Sequence, residues 1–252
     1  MSDFSLQVKN LDFSYQSSPP VLRNVSFTLK QGEVLGILGG NGSGKSTLLH
    51  ILAGILDADA GSAIWNEKTI SSNHLNELRS KIGLVFQEAN NQLFMPIVRD
   101  DVAFGPINLG LKPDEVSARV DQVFHELQIA HLSDKLTHRL SGGEKRMVSI
   151  ATILTMKPEL LLLDEPSANL DPHARRQLIK LLSSRPETKI IATHDLDMAY
   201  ELCTRCIVLH QGRILADGTP KEIFANESLL DEAKLEQPYL FLLNQLKESR
   251  MA

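Results

Sequence analysis

The sequence predicts an α/β fold in which a glycine-rich loop follows one strand of a parallel sheet. An apolar run at 34–38 precedes this loop, 39–47, and a helical pattern begins directly after it. A second apolar run, Leu160–Leu163, is bounded by acidic residues, as expected of a parallel strand buried on both faces. A third apolar run, Ile190–Thr193, has the same character. Strands that alternate with helices in this way predict an α/β architecture.

Shorter strand-like segments lie on both sides of the glycine-rich loop. Phe4–Val8 and Val25–Leu29 precede the loop, and Ala63–Trp65 and Ile82–Phe86 follow its helix. They are rich in aliphatic and aromatic residues and are separated by turn-forming residues, which is typical of strands.

Residues 88–158 interrupt the α/β pattern with a largely helical segment. Helix breaks are expected at Pro96, Pro106 and Pro113. One amphipathic helical face consists of Val116, Val120, Val123, Phe124 and Leu127. Residues 221–252 predict a helical tail, so we expect one domain at 1–220 that contains the helical segment, followed by the tail.

The composition is that of an ordinary globular protein, and nothing in it favours nucleic acid as the principal partner. Of the 252 residues, 42% are hydrophobic and 23% are charged, and the net charge is −5. No apolar run approaches the roughly 20 residues that a membrane-spanning helix needs. No charged-then-apolar leader opens the chain. Any membrane role is therefore expected to depend on a partner protein.

The two cysteines, Cys203 and Cys206, form a C-x-x-C pair. One pair cannot complete a four-ligand zinc site, and no thioredoxin-like pattern surrounds it. Because the pair lies where a helix runs into the predicted strand Cys206–Leu209, we expect both thiols to be buried as small hydrophobic groups. A redox role is the alternative. The absence of a disulfide framework fits the cytoplasm.

The glycine-rich loop fits the phosphate-binding pattern G-x-x-x-x-G-K-[ST]. Its glycines let backbone N–H groups face a phosphate chain, and the helix that follows adds the positive end of its dipole. Lys45 is expected to reach the terminal phosphates, and the Ser46 hydroxyl is expected to bind Mg²⁺. The loop therefore predicts ATP and Mg²⁺ as ligands. The expected nucleotide-binding residues in the loop are Gly39, Asn41, Gly42, Ser43, Gly44, Lys45, Ser46 and Thr47.

A second motif, Leu140–Glu144, predicts the start of a helix. Ser141 is suited to cap it, and Glu144 stands three residues later, which makes a capping box. A well-capped helix alone is the simpler interpretation. However, this run reads Leu-Ser-Gly-Gly-Glu, the signature of the ATP-binding cassette (ABC) family, and the chain resembles that family over nearly its whole length. The resemblance implies a P-loop NTPase core of ABC type, with an N-terminal antiparallel β subdomain and an inserted α-helical subdomain.

The resemblance also implies roles for three residues at the ends of predicted strands. Asp164 matches the acid that holds Mg²⁺ through water, and Glu165 matches the acid that positions and polarises the attacking water. His194 matches the histidine that contacts the γ-phosphate. Hydrolysis of a phosphoanhydride depends mainly on placement and charge neutralisation, so this set of groups suffices. Both Glu165 and His194 are present, which disfavours a non-catalytic nucleotide-binding regulator.

Two further positions match nucleotide contacts of the family. Gln87 resembles the glutamine that touches Mg²⁺ and senses the transmembrane partner, and Tyr15 matches the aromatic residue that stacks on adenine. Stacking tolerates many aromatic rings, so an ordinary core or surface tyrosine is the alternative.

The motif at Leu140–Glu144 implies a second subunit, because in the family each nucleotide lies between the phosphate loop of one subunit and the signature of the other. The expected contacts in the signature are Ser141, Gly142 and Gly143. Residues 167–171 match the loop that crosses to the other subunit, although Asn169 stands where Gly or Ala is usual. The partner is expected to be an identical chain or a close homologue.

One stretch, 83–94, resembles the ATPases of energy-coupling-factor importers, which take up cobalt, nickel or vitamins. Gln92–Phe94 matches a short helix special to that group. The resemblance implies a place on the cytoplasmic face of the membrane, with a transmembrane scaffold subunit and a substrate-binding membrane subunit as partners. Residues 144–148 look closer to the cobalt and nickel branch, with vitamin uptake as the alternative. A soluble mechanical ATPase is disfavoured because the chain lacks coiled-coil insertions, a second cassette and a basic surface.

Overall fold

The structure, a computed structural model, describes residues 4–16, 18–71 and 78–251. The described strands are β1 (Phe4–Phe13), β2 (Leu22–Lys30), β3 (Val34–Leu38), β4 (Ala60–Trp65), β5 (Lys68–Thr69), β6 (Ile82–Val85), β7 (Leu160–Asp164), β8 (Thr188–Thr193), β9 (Arg205–His210) and β10 (Arg213–Gly218). The described α-helices are α1 (Lys45–Leu52), α2 (Val98–Asn108), α3 (Pro113–Glu126), α4 (Gly142–Leu154), α5 (Pro172–Ser184), α6 (Leu196–Leu202), α7 (Pro220–Ala225), α8 (Glu227–Ala233) and α9 (Tyr239–Met251).

The larger sheet has six strands in the order β10-β9-β3-β8-β7-β6. β3 pairs in parallel with β8 and β9, and β7 pairs in parallel with β6 and β8, whereas β10 is an antiparallel edge strand. The predicted α/β fold with a parallel sheet is therefore confirmed. Because β3, β7 and β8 are neighbours, the segments that follow them meet at one edge of the sheet, where ligands bind in open α/β folds.

The smaller sheet is antiparallel, with the order β2-β1-β4-β5. One hydrophobic cluster joins this sheet to α1 and the larger sheet, and it includes Leu6, Leu48, Leu52 and Ile37. Helix α1 is thereby fixed between the two sheets, which holds the loop in front of it in place.

The inserted segment packs its helices on one another and on the larger sheet. Every member of the predicted amphipathic face, Val116 to Leu127, is buried. Their cluster also contains Met147 and Ile150 of α4 and Leu161 of β7. The helical segment is therefore packed against the strand that carries the acidic pair.

The tail folds back onto the α/β core through an aromatic cluster. Phe241 of α9 is buried, and its ring centroid lies 5.7 Å from that of Tyr200 in α6 and 6.3 Å from that of Phe224 in α7. The backbone N–H of Leu240 donates to the Asp197 carboxylate. Within the residues that the structure describes, no helix combines the length and apolar character needed to cross a bilayer.

Both cysteines are free and buried, as the sequence predicts. Their sulfur atoms lie against β3, where a Cβ on Gly36 would come within 2.9 Å of the Cys203 sulfur. A thiol hydrogen bond with Cys206, together with burial, raises the pKa of Cys203 well above its ordinary value. A protonated, enclosed thiol is unreactive, so the packing role is the one that the structure supports.

The predicted helix break at Pro106 is wrong, because α2 continues through this residue. Proline lacks the N–H that would bond to the Val102 carbonyl. The Thr155 hydroxyl lies 3.1 Å from that carbonyl and also within 3.2 Å of two carbonyls of its own helix. This neighbouring donor lets the helix tolerate the proline near its end. Pro113, by contrast, occupies the first turn of α3, where proline is favoured.

Replacing Thr155 with valine keeps the side-chain volume but removes this donor from a fully buried position. We expect the free energy of unfolding, measured by urea denaturation, to fall by about 1–3 kcal/mol. In the Pro106→Ala background, which supplies a backbone N–H, the same change should cost less. If Thr155→Val lowered the free energy of unfolding equally in both backgrounds, the hydroxyl would be bonding only to carbonyls of its own helix.

Candidate functional site

The glycine-rich loop leaves β3 and wraps closely against the neighbouring strand. A Cβ on Gly39 would lie 2.2 Å from the Leu209 carbonyl oxygen, so only glycine fits there. Gly44 precedes α1 in a left-handed conformation, with φ of 107°, and provides no side-chain cap. The first N–H groups of α1 therefore lack a capping side chain and are available to an anion.

A cavity of about 320 Å³ lies in front of this loop. It brings together most of the predicted nucleotide and metal residues from four separate parts of the chain. Its lining consists of Tyr15, Val21, Asn41, Gly42, Ser43, Gly44, Lys45, Ser46, Thr47, Gln87, Asp164 and Glu165. The sequence predicted all of these residues except Val21.

Tyr15 lies at the rim of this cavity. Its ring packs edge-on against Phe13, with ring centroids 4.9 Å apart, and its hydroxyl is 3.2 Å from the Thr47 hydroxyl. The tyrosine is 44% exposed. It is therefore held in orientation by its neighbours while part of its ring remains open for stacking.

Lys45 is buried at the base of the cavity. Its Nζ donates to the carbonyl oxygens of Gly39, at 2.7 Å, and Gly40, at 3.2 Å. Burial lowers the pKa of the Lys45 ammonium, and the carboxylates of Glu165 and Asp164 oppose that shift. The ammonium is thus placed between the loop and the acidic pair.

Asp164 presents a buried carboxylate that fits a metal ion. Neither of its oxygens has a hydrogen-bond partner among the described groups. Burial raises the pKa of Asp164, and the nearby Ser46 hydroxyl opposes that shift. The described residues contain no cluster of three or more His, Cys, Asp or Glu side chains that could hold a metal by themselves. A hydroxyl, a carboxylate and the adjacent Gln87 amide are oxygen donors that suit Mg²⁺ completed by phosphate and water.

Both carboxylate oxygens of Glu165 are engaged by the segment that follows β8. Nδ1 of His194 lies 2.8 Å from Oε1, and the Thr193 hydroxyl donates to Oε2 at 3.0 Å. The backbone N–H of His194 also donates to this carboxylate. Glu165 is buried, whereas the His194 side chain is 67% exposed. The structure therefore places the predicted acid and histidine in direct contact.

The residues of the second motif lie apart from this cavity. Ser141, Gly142 and Gly143 line a different cavity, of about 560 Å³, together with Asn169. Asn169 has φ of 63°, a left-handed conformation that glycine and asparagine adopt most readily. This explains why asparagine is acceptable where the family pattern has glycine. Within one chain the two motifs are not brought together.

Similarity to known proteins identifies the family to which this chain belongs. The family profile described as ABC transporter matches residues 22–168, more than half of the chain. This chain belongs to the ABC transporter family. A putative ABC transporter ATP-binding protein of Geobacter sulfurreducens is 48% identical, covering 94% of this chain and 96% of the relative. The energy-coupling factor transporter ATP-binding protein EcfA3 of Clostridium perfringens is 41% identical, covering 98% and 90%.

Two solved structures are similar to this cassette. CbiO1 of Clostridium perfringens, described as part of the ABC transporter complex cbiONQ, is 40% identical with a TM-score of 0.80, over 97% of this chain and all of that one. The ATP-binding cassette MJ0796, solved as a dimer bound to ADP and Pi, is 25% identical with a TM-score of 0.77 over 85% and 98%. The predicted fold of ABC type is confirmed.

The short helix expected at Gln92–Phe94 is displaced in this cassette. A 3₁₀ turn covers Ala89–Asn91, and Gln92 follows it. The Gln92 side chain bonds to the Ser149 carbonyl, the Thr152 hydroxyl and the Phe86 N–H. Gln92 therefore ties the segment after β6 to helix α4.

Arg146 is a structural contact that the sequence patterns missed. It is fully buried in α4 and donates to the carbonyl oxygens of Phe86 and Gln87. Burial lowers the pKa of its guanidinium, and Asp164 opposes that shift. The sequence does contain one signal: an arginine stands within an otherwise apolar helical face. A charge in that position requires partners if it is buried.

The predicted capping box of the signature helix is confirmed. The Ser141 hydroxyl accepts from the N–H of Glu144, and the Glu144 carboxylate accepts from the N–H of Ser141. Lys135 lies 2.9 Å from Glu144. These donors, Lys135 first, lower the pKa of Glu144 from 4.5 to about 2.

Because the folded-state pKa of Glu144 is depressed, its stabilising effect is present above about pH 4.5 and is lost as the pH falls toward 2. We expect Glu144→Gln to lower the free energy of unfolding by about 0.5–1 kcal/mol at pH 7, since the carboxylate is partly exposed. The difference from the unmodified chain should shrink between pH 4.5 and 3 in urea denaturation. In the Lys135→Met background, the stability loss caused by Glu144→Gln should be smaller at every pH at which Glu144 is ionised. A difference that is independent of pH would contradict this assignment.

Proposed function

We propose that this cassette hydrolyses ATP as the ATP-binding subunit of a membrane importer of the energy-coupling-factor type. The observation that carries the proposal is the single cavity in which the glycine-rich loop, the acidic pair and an exposed aromatic ring meet. A nucleoside triphosphate requires these three features: donors for phosphates, carboxylates for metal and water, and a surface for the base.

ATP binding follows from the loop geometry. The triphosphate lies along the backbone N–H groups of the loop and at the start of α1. Lys45 exchanges the Gly39 and Gly40 carbonyls for phosphate oxygens, which satisfies a buried cation with anionic partners. Tyr15 stacks on the adenine at the cavity rim.

Mg²⁺ is the metal that fits the oxygen donors of this site. Ser46, Asp164 and Gln87 are the residues that would hold it, Asp164 through water. When bound, Mg²⁺ neutralises charge on the phosphates and on the two carboxylates. Asp164 thereby gains a partner for an otherwise unbonded buried carboxylate.

Glu165 and His194 act on the attacking water and the γ-phosphate. In the structure, His194 bonds to the Glu165 carboxylate oxygen Oε1. When ATP is bound, the exposed imidazole turns toward the γ-phosphate, and the acceptor position that it occupied on Oε1 becomes available to orient water. The Glu165 carboxylate then accepts a hydrogen bond from the water and polarises it as its oxygen attacks phosphorus.

A second cassette completes each nucleotide site. The signature residues Ser141 to Gly143 stand at the N-terminus of α4, which suits a phosphate, but they face a cavity separate from the phosphate loop of the same chain. We therefore propose a head-to-tail pair of identical or closely homologous cassettes, in which the signature contacts the nucleotide of the partner. The related MJ0796 cassette is a dimer bound to ADP and Pi.

An exposed apolar surface supports attachment to a membrane scaffold. Phe94 is 62% exposed, and its ring packs edge-on against Phe104, with centroids 4.7 Å apart. Two residues close in sequence, Ile97 and Ile107, are also exposed, whereas Leu93 packs against the core. These side chains suit the apolar face of an amphipathic helix.

We propose that a cytoplasmic helix of a transmembrane scaffold subunit binds this surface, which places the cassette at the cytoplasmic face of the membrane. A substrate-binding membrane subunit completes the importer. The transported substrate that we propose, from the resemblance of residues 144–148, is cobalt or nickel. Uptake of ⁵⁷Co and ⁶³Ni, compared with uptake of labelled vitamins, tests this choice.

Glu165→Gln tests the hydrolytic role. We expect the variant to bind ATP and to hydrolyse it at least 100-fold more slowly, because a neutral amide cannot polarise the attacking water as a carboxylate does. The dimer should accumulate in ATP and Mg²⁺, as measured by size-exclusion chromatography. Glu159→Gln, at the opposite end of β7, is the matched control and should retain turnover. Near-normal steady-state turnover of Glu165→Gln would show that Glu165 has another role.

Phe94→Asn tests the docking surface. Because Phe94 is mostly exposed, we expect its loss to change the free energy of unfolding by less than about 1 kcal/mol and to leave basal ATPase activity intact. Assembly with the scaffold and uptake should fail. Leu246→Asn, an equally exposed apolar position in α9, is the control and should assemble normally. A loss of several kcal/mol in stability, as for a buried aromatic residue, would place Phe94 in the core instead.

A further inference from the structure

We propose that Thr193 is a positioning residue for hydrolysis: its hydroxyl holds Oε2 of Glu165 while the His194 imidazole turns away from Oε1. The inference rests on the proposed ATPase function and adds to it a residue that no sequence motif assigns. It is carried by the hydrogen bonds around the Glu165 carboxylate.

The Thr193 hydroxyl is placed so that its single hydrogen points at Glu165. The backbone N–H of Asp195 donates to the Thr193 oxygen at 2.9 Å, so this oxygen acts as an acceptor on that side. A hydroxyl has only one hydrogen to donate. The neighbour that accepts it is Oε2 of Glu165, at 3.0 Å. The hydrogen bond therefore has a defined direction.

Thr193 is also the less mobile of the two side chains that hold Glu165. It is fully buried, and its strand is paired on both sides, with Leu38 of β3 directly opposite. A β-branched side chain has few χ1 choices. His194, by contrast, is mostly exposed and can turn away. The anchor and the moving group are thus adjacent residues with different burial.

The segment that orients Thr193 is itself fixed. The Asp195 carboxylate accepts from both nitrogens of the Arg175 fork, at 2.7 and 2.8 Å, and from the Ser167 hydroxyl at 2.9 Å. Its oxygen Oδ1 also caps α6 through the N–H of Met198. Because four donors hold Asp195, its backbone N–H stays aimed at the Thr193 hydroxyl.

This geometry assigns a distinct task to each oxygen of Glu165. Each carboxylate oxygen can accept more than one hydrogen bond, but the position on Oε1 that the His194 imidazole occupies is closed to water. A carboxylate that loses its side-chain partners is also held less firmly. If the His194 imidazole leaves while the Thr193 hydroxyl and the His194 backbone N–H stay bonded, one acceptor position on Oε1 opens and the carboxylate plane remains fixed. Misplacement of a reacting group by about 1 Å costs on the order of 100-fold in rate.

The test compares Thr193→Val, Thr193→Ser and the matched control Thr188→Val in the full-length chain. Valine keeps the shape without the hydroxyl, and we expect kcat to fall about 10- to 100-fold while KM for ATP stays within about twofold. Serine retains the hydroxyl and should restore most of kcat. Thr188 is also buried, at the other end of β8, and its hydroxyl accepts from the N–H of Gly32, far from Glu165, so loss of this hydroxyl should not change kcat.

Two results would overturn the proposal: unchanged kcat in Thr193→Val, or Thr193→Ser as slow as Thr193→Val. If the valine variant does not fold, Thr193→Cys, a weaker donor of similar size, replaces it with the same expectations.

A double variant separates this proposal from the proposed function. In the Glu165→Gln background, Thr193→Val should not lower the residual single-turnover rate further, since the group that it positions is already disabled. A further loss equal to that of the single variant would assign Thr193 a purely structural role. If Glu165→Gln itself retains normal turnover, the proposed function fails, whatever Thr193 does.

Discussion

The candidate site depends on the register of three adjacent parallel strands. Leu38 lies opposite Thr193, and Asp164 lies opposite Ala192, so β3, β8 and β7 end at nearly the same level. The phosphate loop, His194 and Glu165 are the next residues after these ends. Because the pairing fixes all three ends, Lys45 and Glu165, which are 120 positions apart in the sequence, line the same cavity. A slip of one strand by one residue would exchange the faces to which its side chains point.

This convergence has an electrostatic consequence for the pocket. Asp164 and Glu165 are buried carboxylates with one buried cation, Lys45, nearby. Burial raises the pKa of Asp164 and lowers that of Lys45, which means that both charged forms lack the solvation they have in water. A metal ion and a triphosphate supply the missing opposite charges to both groups. The site is therefore better satisfied with its proposed ligands than without them.

The sequence predicted the strands and most of the pocket because these features depend on local signals. Continuous apolar runs identify buried strands, and a glycine-lysine-serine spacing identifies the loop, so Lys45 and Asp164 could be placed without coordinates. Thr193 could not be assigned, because it acts through a tertiary contact that leaves no local pattern. Arg146 left only an indirect signal, a charge within an apolar helical face, and its partners are tertiary contacts. The error at Pro106 has the same origin: the local rule for proline is correct, but a donor from another helix modifies its effect.

The two motifs that are separated in one chain are nevertheless connected by polar contacts. On one side, Arg146 joins the signature helix to the backbone of Gln87, a residue of the nucleotide pocket. On the other side, the segment from Glu165 to Asn169 runs from the proposed catalytic carboxylate to the signature, where Asn169 lies against Gly142. A displacement of the signature helix would therefore be transmitted to both the residues proposed to bind the metal and those proposed to orient water in the same chain. Since the signature is proposed to contact the nucleotide of a partner, these contacts provide a physical route by which occupancy of one composite site affects the other.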